Sequence, residues 1–174
     1  MSQSSKMNAA LKKYVFQPLL DNGFTGKYPH YRKVYDNRIE LLAVQKNKYG
    51  NSFTIEISTI FPQQKDRKKN FNDHGKGLDD INVWDTNLRY RLPGTIDGWF
   101  YYTDVYTCTF KIKGRKFVDY LAVSEEKKKN FQPPESYKQI QMADESIYEK
   151  VCVDVNSQMQ KAFVWWEKMS KKYS

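Results

Sequence analysis

Residues 39–61, IELLAVQKNKYGNSFTIEISTIF, constrain the fold more than any other stretch. Two apolar runs flank the turn cluster Asn47-Lys48-Tyr49-Gly50-Asn51, in which Gly50 can take the positive φ of a tight loop. With Lys46 opposite Ser52, the expected cross-strand pairs are Gln45 with Phe53, Ala43 with Ile55, Leu41 with Ile57 and Ile39 with Thr59. One face is then almost wholly apolar. The other, with Leu42, Val44, Glu40 and Glu56, is mixed. Side chains alternate along a strand, so a slip of one residue would bury Glu40 and Glu56. An oily sheet face needs a cover, most simply a helix.

Flanking segments supply that cover. Residues 6–22 show Leu11, Tyr14, Val15, Leu19 and Leu20 at helical spacing, with Ser5 as N-cap and Gly23 just past the C-terminus. Pro18 removes a backbone donor inside this stretch and is expected to kink the helix or start a second piece. Residues 144–173 read as a long helix whose stripe runs from Ile147, Val151 and Val155 to Met159, Ala162 and Trp166.

Between these ends the chain reads as β. Tyr31–Tyr35 precedes the two-residue turn Asp36-Asn37, which pairs Lys33 with Glu40 and places Arg32 beside Leu41. Arg32 on a buried face either reaches past the helix to water or lines a pocket between helix and sheet. Residues 63–80 are a polar loop carrying His74, with no second ligand near it for a metal. Leu88, Tyr90 and Leu92 alternate with Arg89 and Arg91, which predicts a strand with both guanidinium groups on one face. That pair is either a solvated face or an anion clamp. Trp99 to Tyr102 reads as a buried strand, Trp99 serving as core or pocket wall. Residues 106–112 and 116–123 form a further hairpin around Gly114, in which Phe110 and Ile112 alternate with Lys111 and Lys113.

The expected fold is α+β: an antiparallel sheet of about five to seven strands, with N-terminal and C-terminal helices packed on one face. The chain has 174 residues, 40% of them hydrophobic, enough for a single domain over 1–174. No apolar run approaches the ~20 residues that span a bilayer, and residues 1–14 lack the apolar core of a secretory signal, so a cytoplasmic protein without membrane contact is expected. Cys108 and Cys152 have no metal-like spacing and read as reduced thiols. A formal charge of +9 permits an acidic or nucleic-acid partner, although the lysine runs are scattered.

The segments LKKYVFQPLLDNGF, YRKV, LLAVQKNKYGNSFTIEI, LRYRLPG and DGWF, in that order, resemble the DUF4304 family over residues 7–104. The last helix, with Trp165-Trp166, corresponds again, and residues 106–136 look like an insertion or a divergent part. Asn47 stands where serine is commoner, and Trp99-Phe100 replaces a tryptophan pair. The resemblance implies an α+β domain of bacterial origin and supplies no catalytic residues.

Nothing in the sequence carries a recognised phosphate loop, nucleophile elbow, dinucleotide fingerprint or zinc motif, and neither His30 nor His74 adjoins a nucleophile. No cofactor and no metal site is expected, and the balance leans away from catalysis. The preferred expectation is a protein-interaction module of the immunity or regulatory kind, monomeric or homodimeric. Its binding face would use Arg32, Gln45, Tyr49, Arg89, Arg91 and Trp99. The alternatives are a nucleic-acid binder and an enzyme on an anionic small molecule clamped by Arg89 and Arg91.

Overall fold

The structure, a computed structural model, describes residues 2–63 and 75–173. His74 and the lysine run at 65–69 lie outside the described residues.

The N-terminal helical unit has three parts: α1 (Gln3–Leu11), a π-helical turn (Lys12–Phe16) and α2 (Gln17–Asp21). It starts three residues before the expected point, because Ser2 and not Ser5 is the N-cap: the Ser2 hydroxyl accepts from the Ser5 amide. Pro18 explains the middle part. Proline has no N–H to give the Tyr14 carbonyl four residues back. The chain widens into a π turn there, and the Tyr14 carbonyl accepts from Asn156 Nδ2 at 3.0 Å. Gly23, at φ 87°, closes α2, with the Gly23 amide on Leu20 O and the Phe24 amide on Leu19 O.

The main sheet has six strands. β1 (Thr25–Lys27), β2 (His30–Val34), β3 (Ile39–Lys46), β4 (Ser52–Ile60) and β5 (Arg89–Arg91) run in that order, and β6 (Phe100–Tyr101) pairs with β4 beyond β5. All pairings are antiparallel. β1 falls where a plain connection was expected. The β2–β3 register is the expected one, with Lys33 on Glu40 and Arg32 on Leu41.

The β3–β4 register differs from expectation by one residue. Lys46 pairs with Phe53, Val44 with Ile55, Leu42 with Ile57 and Ile39 with Ile60. Leu42, Val44, Phe53, Ile55 and Ile57 therefore face the helices, while Ile39, Leu41, Ala43 and Ile60 lie on the far side. That far side is covered too, by Leu78, Ile81 and Val83 of a strap containing two 3-10 turns (Leu78–Asp80 and Val83–Asp85). With apolar residues at both odd and even positions of β3, alternation alone does not fix the register. Glu40 and Glu56 are indeed buried, and each has partners: Glu40 accepts from Arg38 Nε and Tyr35 Oη, Glu56 from Arg91.

A second sheet of three strands has the order β8-β7-β9: β7 (Asp104–Ile112), β8 (Arg115–Val123) and β9 (Lys138–Gln141). The short helix α3 (Glu125–Lys128) links β8 toward β9, the latter not foreseen from the sequence. The long helix α4 (Ile147–Tyr173) buries Ile147, Val151, Val155, Met159, Ala162 and Trp166 against the main sheet and the N-terminal unit. Trp166 Nε1 reaches through to Ser58 O of β4 at 2.8 Å.

Candidate binding surface

The structure does not bring the six expected site residues together. Arg32 projects away from the helices, so it lines no pocket between helix and sheet. Its guanidinium donates to the carbonyls of Asp79, Leu78 and Ile81 at 2.6, 2.8 and 3.0 Å. The end of a 3-10 turn presents unpaired carbonyls, and a cation there satisfies them and pins the strap to β2. Arg32 also walls a groove of about 470 Å³ with Tyr28, His30 and Asp80. His30 packs edge-on against Trp84 at 5.0 Å, its Nδ1 is buried without a partner, and burial pulls its pKa below the ordinary value.

Arg89, Arg91 and Trp99 do meet, around a residue that does not figure in the expected set. Glu56 of β4 pairs directly with Arg91 of β5, and Arg91 donates to Glu56 Oε1 through Nη2 at 2.7 Å and Nε at 3.2 Å. Arg89 Nη1 lies 3.9 Å from the other oxygen. Arg91 also sits 6.0 Å from the Trp99 ring. The chain's own carboxylate thus fills the guanidinium fork that an anionic ligand would need. The Trp99 loop is seated on α4 by Gln158, which accepts from the Gly94 amide at 2.9 Å and donates to the Gly94 carbonyl at 2.8 Å. Gly94 has φ 69°, and a Cβ there would stand 2.4 Å from the Trp99 nitrogen.

Gln45, one residue before the end of β3, is exposed and opposite Thr54. Tyr49, 73% exposed, stands on the rim of a 570 Å³ cleft between the β3–β4 turn and the base of β8. Tyr101, Tyr120, Asn47 and Asn51 share that cleft. Asn51 Nδ2 donates to Ala122 O, which ties the turn to the second sheet.

The most exposed apolar chemistry lies further out on that sheet. Beyond Cys108 the β7–β8 hairpin is a two-stranded ribbon with every residue from Thr109 to Asp119 exposed. Phe110 pairs with Phe117 across the strands, the rings stacked 5.9 Å apart, and both remain over 40% exposed. Ile112 is exposed beside them on the same face, and Val118, opposite Thr109, is exposed on the other. Arg115, opposite Ile112, shares the phenyl face, Lys111 and Lys116 pair on the other face, Lys113 lies at the turn, and the sequence from Val105 to Val118 contains no Asp or Glu. An apolar cluster rimmed by charge marks a contact surface, because leaving it in water is unfavourable. The alternation of Phe110 and Ile112 with lysines was visible in the sequence. What it could not show was that no element among the described residues covers the apolar positions.

Cys152 is buried, its thiol pushed up to about 11 by that burial, and Cys108 is half-buried and free. Among the described residues no three His, Cys, Asp or Glu side chains cluster to hold a metal ion, and no helix is long and apolar enough to cross a membrane.

This architecture defines an α+β class in which an antiparallel sheet is sandwiched between two terminal helical segments and a strap, with a ribbon-bearing second sheet beside it. The chain matches the family described as "Domain of unknown function (DUF4304)" over residues 15–168, and it belongs to that family. The match spans residues 106–136, the stretch expected as an insertion or divergent part. No curated protein and no solved structure matches the chain.

Proposed function

We propose that the protein is a binding module that docks onto another protein through the β7–β8 ribbon. The observation that carries this reading is the stacked, exposed Phe110–Phe117 pair on a ribbon whose residues 109–118 carry four cations and no acid. Aromatic anchors at the centre of a patch with a charged rim match the anatomy of protein interfaces. The partner surface that fits is an apolar groove with acidic edges. Glu56 already occupies Arg91 and approaches Arg89, which removes support from the reading of those arginines as an anion clamp for an enzyme.

A double variant, Phe110→Ser with Phe117→Ser, tests the proposal. It should keep the far-ultraviolet circular dichroism and melting temperature of the parent. Affinity capture with both forms should retain a partner on the parent that the variant loses. Equal retention by both forms would sink it.

A second reading rests on the same four cations. A two-stranded ribbon has the width to enter a nucleic-acid major groove. Binding of that kind would weaken steeply with salt through counterion release and would survive loss of the phenyl rings.

A further inference from the structure

Building on the ribbon reading, we infer that β8 is an acceptor edge, to which an acidic partner segment adds as a further strand. The edges of the two sheets differ in length. On the main sheet β1 and β5 are three residues long and β6 two, and on the second sheet β9 is four. β8 is nine residues long and, among the described residues, pairs with β7 alone, through nine consecutive residues. Natural sheets keep their edges short, bulged or charged, because an open edge presents a row of unpaired amides and carbonyls. The bulge in this sheet, at Val105/Tyr106, faces β9 and leaves the β8 side regular. Residues 117–123 carry one charge, Asp119, whose carboxylate already accepts from the Tyr137 hydroxyl.

The side chains of β8 say which segment fits. Arg115 and Lys116 point to opposite faces, as do Phe117 and Val118 after them. A neighbouring strand with two consecutive carboxylates followed by two apolar residues would meet charge with charge and apolar with apolar on both faces. A second copy of β8 offers no such match, because its only carboxylate is Asp119. Main-chain hydrogen bonds would then supply affinity, and the paired side chains would supply selectivity.

The probe is the peptide Glu-Glu-Val-Val-Thr-Val-Val-Glu-Glu, which presents the same pattern in either direction. Its control carries N-methyl groups on two backbone nitrogens, one on each edge of the strand. With the full chain, the unmodified peptide should slow amide exchange over 115–119 by about tenfold or more. The methylated peptide should bind at least about tenfold more weakly, since it keeps every charge and loses the ladder. If both peptides bind equally and the Phe110→Ser/Phe117→Ser variant releases both, docking through the ribbon stands and strand addition is overturned. If neither binds, strand addition is overturned as well. Protection of 115–119 that grows with protein concentration and needs no peptide would assign the edge to self-pairing instead. A short DNA duplex that protects 115–119 while the peptide does not would give the ribbon to nucleic acid and refute both readings.

Discussion

Glu56 shows how a carboxylate survives inside a sheet. It is 8% exposed, and removing an ion from water costs several kcal/mol unless another charge and hydrogen bonds replace the solvent. Arg91 provides both, but its own side chain is 47% exposed, so water screens the pair. Arg91→Ala should therefore destabilise the fold by about 1–2 kcal/mol, below the full cost of orphaning a deeply buried charge. Adding Glu56→Gln should recover part of that loss in urea titrations, because a neutral amide is cheaper to bury. A second titratable side chain is the half-buried His30. Burial lowers its pKa below 6.5, so as pH falls the unfolded chain takes up this proton first. The stability contributed by neutral His30 is complete above 6.5 and declines as pH drops from there toward the lowered folded value. His30→Gln should show a smaller fall in melting temperature between about pH 7 and about pH 5 than the parent. An equal fall in both proteins would place the pH response elsewhere.

At the scale of elements, Pro18 was legible in the sequence as a break, but its remedy was not. The π turn and the Asn156 hydrogen bond to Tyr14 O depend on a helix 138 residues away in the chain (156 − 18). The two residues should be coupled. Asn156→Ala alone should cost about 0.5–1 kcal/mol, a modest value because Tyr14 is partly open to water. In a Pro18→Ala background the alanine can supply an N–H to the same carbonyl, so the cost of Asn156→Ala should shrink toward zero. Additive losses in that double-mutant cycle would mean the two groups do not share an acceptor. The β2–β3 register was readable, since the two-residue turn and the Lys33–Glu40 pair agree on it. The β3–β4 hairpin was not. Its five-residue loop, closed by the Asn47 amide on Ser52 O, admits more than one register, and the strap that makes both faces of β3 apolar comes from 78–85, after a polar stretch with no periodic pattern. The candidate site suffered for the same reason. Arg32 and Glu56 acquire their partners from that strap and from β5, and single-strand periodicity says nothing about either.

The whole molecule divides its labour between two sheets. The main sheet is buried on both faces and its edges are short, which leaves little surface for a partner. The second sheet is anchored at its base, where Asp104 accepts from the Ala143 amide at 2.7 Å and pairs with Lys128 at 3.0 Å. Exposure then rises along β7 and β8 until every residue at the far end faces solvent. A ribbon built this way contributes little to the core, because its apolar side chains remain 41–52% exposed and none belongs to a buried cluster. Removing residues 109–118 and joining Cys108 to Asp119, which already face each other, through an Asn-Gly turn should change stability by about 0.5 kcal/mol or less. The same deletion removes Lys111, Lys113, Arg115 and Lys116 and no acid, taking the formal charge from +9 to +5 (9 − 4). Earlier elution from a cation exchanger, an unchanged melting temperature and loss of peptide binding should appear together. A large drop in melting temperature would show instead that the ribbon is part of what holds the fold, and an exposed aromatic pair that stabilises the monomer would no longer need a partner to explain it.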